Sequence, residues 1–195
     1  MKRIVIAIVL AALILFGASF GLQGIAAKNA QEEHIWLMQT LLPGSESFTL
    51  EPYSGEDANI RSVHKAENGY VIETVTYGYA GEITMVIGVS SDGKVTGLVA
   101  LEAHETPGLG NEILTDHVFL AQFLNKSGSF TIGTSGADTF SGATAEAETG
   151  AGEKITVDGI TGATVSSKAV ARCVTSAVAY VTGADAVSAA TSWGG

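Results

Sequence analysis

Ile4 to Leu22 is a run of nineteen residues without a charge, preceded directly by Met1-Lys2-Arg3. As a helix rising about 1.5 Å per residue, such a run spans most of a ~30 Å hydrocarbon core. It therefore divides the chain into an apolar anchor and a polar remainder. The basic residues ahead of it set a direction, with the N-terminus in the cytoplasm and everything after the span outside it. A cleaved signal peptide is the competing reading. The run exceeds an h-region of roughly 7–15 residues and no small-x-small site follows at once, so a retained single-pass anchor in the cell (inner) membrane is favoured. Gly17 and Gly21 have the GxxxG spacing that permits close helix contact. The organisation expected is an anchor over 1–27, a helix and connecting segment over 28–69, and one domain over 70–195 with a Gly-rich excursion at 127–153.

The polar part is large enough for a single core. A formal charge of −10 argues against nucleic acid as a partner, and against docking on anionic lipid through a basic patch. The lone cysteine, Cys173, excludes an intrachain disulfide and a four-thiolate iron–sulfur cluster. It lies among valines with helical spacing and reads as a buried, inert thiol. Any redox chemistry then needs an organic cofactor.

Periodicity gives an α+β class, an antiparallel sheet with flanking helices. Residues 28–42 have helical spacing and end at Pro43-Gly44, and 45–68 read as an acidic connection with short strands. Residues 70–77, 82–89 and 94–101 are rich in β-branched side chains, with Ser90-Ser91-Asp92-Gly93 as a hairpin signal. Residues 112–126 read as a helix and 155–157 as a short strand. Val170, Val174, Val178 and Val181 make one apolar stripe, with Lys168, Arg172 and Thr175 opposite and Gly183 as the stop.

Between that short strand and that helix stands Asp158-Gly159-Ile160-Thr161-Gly162-Ala163-Thr164. The context puts a threonine hydroxyl at or just before a helix N-terminus, with Gly162 and Ala163 leaving the approach open. Unpaired N–H groups and the positive end of the helix dipole favour a phosphate there. An ordinary strand-to-helix connection with an N-cap is the plain alternative. Asp138 to Thr144 fits the same pattern. Behind Thr144, however, Gly150 and Gly152 break a helix within two turns, and Glu146 and Glu148 would repel a phosphate. Thr164 is the favoured position, with Ser166 and Ser167 its nearest chemical rivals.

A second segment, His104-Glu105-Thr106-Pro107-Gly108-Leu109-Gly110, precedes the 112–126 stretch. Pro107 restricts Thr106 to extended geometry, and Gly108 and Gly110 let backbone approach a flat partner. The plain alternative is a tight strand-to-helix loop. HExxH fails at Gly108, and His34, His64 and His117 lack metal-ligand spacing. There is no Walker A sequence and no complete GxGxxG.

The two segments, in this order and about fifty residues apart, resemble the Glu-Thr-Pro-Gly-Leu-Gly loop and the Asp-x-x-(Ser/Thr)-Gly-Ala-Thr flavinylation motif of one family. These are the FMN-binding subunits of Rnf and sodium-pumping NADH:quinone oxidoreductase complexes. Tyr77-Gly78-Tyr79-Ala80-Gly81 is similar to that family's glycine-bearing turn, and the resemblance covers roughly residues 70–181 without the excursion. It implies FMN joined by a phosphodiester to Thr164 through a dedicated flavin transferase. Thr161, Gly162 and Ala163 would shape the seat of the phosphate, while Glu105, Thr106, Leu109 and Gly110 would contact the isoalloxazine ring. Asp158 would position the turn or be read by the transferase.

The implied function is electron relay within a membrane redox-driven ion pump of the Rnf type, a ferredoxin:NAD⁺ oxidoreductase. The flavin would lie outside the cytoplasm, the partners would be the other membrane subunits, and the isolated chain would have no catalytic residue and no metal. The sodium-pump flavin subunit, a membrane-tethered regulatory FMN protein and a non-redox exterior domain are the alternatives.

Overall fold

The β-branched runs become the centre of one antiparallel sheet. A computed structural model describes residues 32–105, 110, 114–133 and 153–184. The chain divides into two compact units, residues 1–37 and 38–195. Helix α1 covers residues 32–41. The strands are β1 (Thr49–Glu51), β2 (Ile60–Lys65), β3 (Gly69–Tyr77), β4 (Glu82–Ser90) and β5 (Val95–Ala103), hydrogen-bonded in sequence order and all antiparallel. The short strands expected within 45–68 thus extend the same sheet.

The hairpin between β4 and β5 turns at Gly93, whose φ of 83° suits glycine, and Gly93 N donates to Ser90 O at 2.8 Å. Ser90 and Lys94 side chains both engage the Asp92 carboxylate and hold it below its ordinary range.

Side chains alternate across a strand, so each face has its own partner. On one face Ile72, Ile83, Met85, Ile87 and Val89 form the core with Val170, Val174, Ala177 and Val178. Full burial of each such aliphatic side chain contributes on the order of 1.5–3 kcal/mol of transfer free energy. On the other face Gly88 of β4 pairs with Gly97 of β5. A Cβ at Gly88 would stand 2.2 Å from Leu41 O. Bare backbone there lets the end of α1 lie on the sheet, where the Thr96 hydroxyl donates to Leu41 O and Met38, Leu41 and Leu42 are buried.

Three expectations change. Within the helix read over 112–126, the described residues 114–126 are helical only over α2 (His117–Ala121), because Asp116 caps it by accepting from Val118 N at 2.9 Å and Phe119 N at 3.0 Å. An aspartate that competes for backbone N–H groups starts a helix rather than sitting within one. Next, Ser129–Gly133, read as the start of the Gly-rich excursion, is strand β6 and pairs in parallel with β7 (Lys154–Asp158). Its Phe130-Thr131-Ile132 core is strand-forming and outweighs the flanking glycines. The sheet structure is therefore not all antiparallel. The remainder of the excursion, with Thr144, lies outside the described residues.

Last, the amphipathic stripe belongs to a helix covered on more than one side. Helix α3 (Thr164–Thr182) packs on β3, β4 and β6 and buries Ser166, Ser167, Thr175 and Ser176 as well as Val170, Val174 and Val178. Thr175, expected on the open face, donates to Ala171 O at 2.8 Å and accepts from Phe130 N at 2.9 Å. These two bonds satisfy a hydroxyl that burial would otherwise penalise. Cys173 is fully buried, and burial pushes its thiol up to about 11. Gly183, with φ 69°, ends the helix in the left-handed region. Among the described residues no helix is long and apolar enough to cross a membrane. Ile4 to Leu22 lies outside them.

Candidate functional site

The site grows from the junction of β7 and α3. At the end of β7, Gln122 makes a reciprocal pair with the main chain of Asp158. Asp158 N donates to Gln122 Oε1 at 3.0 Å, and Gln122 Nε2 donates to Asp158 O at 3.2 Å. The chain then turns, with Ala163 N donating to Ile160 O at 3.0 Å and Gly162 holding φ 86°. Positive φ at the third residue is the type II arrangement, which calls for glycine. Ser167 braces the turn from within. Its hydroxyl accepts from Ile160 N at 3.3 Å and donates to Ala163 O at 3.0 Å.

Thr164 emerges as the first residue of α3, exposed, while Ser166 and Ser167 are at most 1% exposed. The two serines considered as rivals therefore point their hydroxyls into the protein. Ala163 precedes the helix and offers no side-chain cap, and the first turn carries no acidic residue. Its N–H groups are not spent on a neighbouring side chain, and the dipole's positive end is not offset. Lys168 is exposed one turn further on, at the i+4 spacing that shares a face with Thr164. A phosphate ester at Thr164 would meet donors and positive charge. The donor set fits that group.

Glu105 approaches from the other side. β5 ends at Ala103, His104 N donates to Glu82 O at 3.0 Å, and the chain then carries Glu105 inward to 8% exposure. Its Oε1 accepts from Tyr79 N at 2.8 Å. Its Oε2 accepts from Ala80 N at 3.4 Å and from the Ser166 hydroxyl at 3.1 Å. Tyr79 and Ala80 belong to the turn joining β3 to β4, which Gly78 N closes onto Gly81 O at 2.8 Å. A Cβ at Gly78 would lie 1.8 Å from Glu105 Oε1, and one at Gly110 would lie 2.3 Å from Oε2 and 2.9 Å from Ser166 Oγ. Both glycines are the space the carboxylate occupies. Arg172 Nη2 adds a bond to Tyr77 O at 3.2 Å, and the Tyr77 and Tyr79 rings stand exposed beside the turn.

Of the residues singled out in the sequence, the structure brings Glu105 and Gly110 against Ser166 in the first turn of α3. Thr161 and Gly162 are exposed at the turn and Ala163 is buried beneath it. Thr106, Leu109, Pro107 and Gly108 lie outside the described residues. The carboxylate oxygens of Glu105 are engaged by protein donors. Gln122 and the inward role of Ser166 were not anticipated. A lone glutamine on an exposed helix end carries no sequence signal, and the acceptor that draws Ser166 inward is distant in the chain. Among the described residues no cluster of His, Cys, Asp and Glu could hold a metal ion.

Residues 78–179 match the FMN-binding domain family. Among curated relatives, the G subunit of the Na⁺-translocating ferredoxin:NAD⁺ oxidoreductase complex of Acetobacterium woodii is 38% identical over 103 residues, 52% of this chain and 44% of that protein. The G subunit of the ion-translocating oxidoreductase complex of Methanosarcina acetivorans is 33% identical over 156 residues, 74% of this chain and 72% of that protein. Apart from the latter, the chain spans about half the length of the first curated relatives it matches. The crystal structure of the C subunit of Na⁺-translocating NADH-quinone reductase from Parabacteroides distasonis is similar at 22% identity and a TM-score of 0.45, covering 72% of this chain and 78% of that one.

Proposed function

Since the chain belongs to the FMN-binding domain family, and within it to the G subunits of ion-translocating oxidoreductases, we propose that it is an electron-transfer subunit of such a complex, of the Rnf type, carrying FMN esterified to Thr164. One observation carries the attachment site: Thr164 presents an exposed hydroxyl at the start of a nineteen-residue helix with no side-chain cap, while the neighbouring serines are buried.

FMN supplies what this chain's side chains lack, the ability to take electrons and release them one at a time. The chain's own groups bind and orient. The first-turn N–H groups and Lys168 would hold the phosphate, Gly162 keeps the turn open, and Gln122 fixes the strand end that leads into it. Thr161 and Ala163 would complete the seat, and Thr106, Leu109 and Gly110 would contact the ring. Attachment needs a phosphate already activated, as in a flavin dinucleotide. Thr164 Oγ bonds to the flavin-side phosphorus, the hydroxyl proton leaves, the pyrophosphate bond breaks and a nucleoside monophosphate departs. A dedicated transferase catalyses this step.

In this reading Ile4 to Leu22 anchors the chain in the cell membrane and the domain lies outside the cytoplasm. The organisation is an anchor over 1–27, a connecting segment over 28–69 whose β1 and β2 extend the sheet, and the flavin domain over 70–195. An exterior cofactor cannot be replenished from cytoplasmic FMN, and a covalent bond removes the loss by dissociation. The partners are the complex's other membrane subunits, between whose redox centres this flavin relays electrons while the whole assembly moves the ion.

Intact-mass measurement with peptide mapping, on protein produced together with the transferase, tests the proposal. One FMN on the peptide containing Thr164 is expected. Flavin that leaves on denaturation, or is absent, contradicts it.

A further inference from the structure

We infer that Glu105 is a positioning residue, a carboxylate clamp that sets the first turn of α3 against the β3–β4 turn and acts on the Thr164 site through Ser166. The inference deepens the proposed FMN site and rests on that reading for its flavin readout. In this role Glu105 acts through its protein partners.

An ionised carboxylate only accepts hydrogen bonds. Here it meets three donors from two separate elements: Tyr79 N and Ala80 N from the turn, and the Ser166 hydroxyl from the helix. Bonds to a charged acceptor are the stronger kind, and burial at 8% exposure strengthens them further. Gly78 and Gly110 leave no atoms where a Cβ would collide with either oxygen. Removing one donor therefore loosens the hold on the others. Ser166 stands two residues after Thr164 and points inward while Thr164 faces out, so a shift of Ser166 re-aims the hydroxyl that carries the phosphate. Among the described residues no ion pair includes Glu105. Its charge is met by these hydrogen-bond dipoles, in an arrangement that a glutamine, with one acceptor and an NH₂ group, cannot reproduce.

The experiment compares wild type, Glu105→Gln, Ser166→Ala and the double variant, each as full chain produced with the transferase. The first readout is hydrogen exchange at Tyr79 N–H, a group that does not touch Ser166. Faster exchange in Ser166→Ala than in wild type is expected, because the coupling runs through Glu105. The second is the visible circular dichroism of the attached flavin, expected to fall in both single variants and no further in the double, the non-additivity of groups acting as one unit. A role confined to overall stability would lower the melting temperature and leave both readouts unchanged in the folded protein.

Unchanged Tyr79 exchange in Ser166→Ala, or additive loss of the flavin signal, overturns the clamp. Wild-type protein without covalent flavin overturns the functional reading instead, and the exchange measurement still decides the clamp. Ser166→Ala removes a single oxygen, so the test stands even if Glu105→Gln does not fold.

Discussion

Gln122 and Asp158 hold each other through two hydrogen bonds, one to the main-chain N–H and one to the main-chain carbonyl of Asp158. The pair ties the end of α2 to the last residue of β7, from which the chain turns toward Thr164. A side chain at the end of one element thereby orients the main chain of another.

Replacing Gln122 by alanine returns both Asp158 groups to water, since the contact is exposed. The expected cost is about 1 kcal/mol, in line with modest net values for exposed hydrogen bonds. Urea unfolding should show a lower midpoint with an unchanged slope. A midpoint equal to wild type would mean that the pair contributes nothing.

Gly162→Ala forces a side chain into φ 86°. The left-handed conformation costs an L-residue roughly 1–2 kcal/mol. Thr161→Ala, at the exposed corner before it, should change stability by less than about 0.5 kcal/mol. The two variants compared in one denaturant series separate backbone strain from loss of side-chain contact.

Gly88→Ala places a Cβ against the main chain of Leu41, at 2.2 Å, whereas at Gly97 the nearest Leu41 atom is 3.0 Å away. Overpacking of this kind costs about 1–3 kcal/mol. The melting temperature should drop more for Gly88→Ala than for Gly97→Ala, and an equal drop would show that the end of α1 yields freely.

Burial pushes the Cys173 thiol from 9.0 to about 11. The raised value means that the fold favours the protonated form. The contribution is intact below pH 9, where both states keep the proton, and is lost as pH climbs from 9 through 11. Native protein at about pH 8, below both values, should resist iodoacetamide and react once denatured. Labelling at the same rate in both states would contradict the buried assignment.

Much of this molecule was legible because its signals are local. β-Branched runs with a Ser90-to-Gly93 turn fix three strands and their antiparallel order, and Val170, Val174 and Val178 fix one face of α3. What escaped depends on tertiary partners. Asp116 reads as one more residue of a helical stretch until its carboxylate is seen taking two N–H groups. Phe130-Thr131-Ile132 looks like a fragment among glycines until β7 pairs with it. Thr175 reads as solvated until β6 lies over it. At the site, the Thr161-to-Thr164 turn and the Glu105 loop stood out by type and spacing. Their meeting at Ser166 could not be read, because it joins residues sixty-one positions apart. The buried state of Ser166 and Ser167, which sets Thr164 apart from its neighbours, was hidden for the same reason.

Which hydroxyl carries the flavin decides the rest. Full-length wild type, Thr164→Ala and Thr144→Ala, each produced with the flavin transferase, are run on a denaturing gel under ultraviolet light, where only covalently held flavin fluoresces. Fluorescent bands for wild type and Thr144→Ala and a dark band for Thr164→Ala are expected. A band that persists in Thr164→Ala and vanishes in Thr144→Ala contradicts the assignment, and three dark bands contradict covalent attachment altogether.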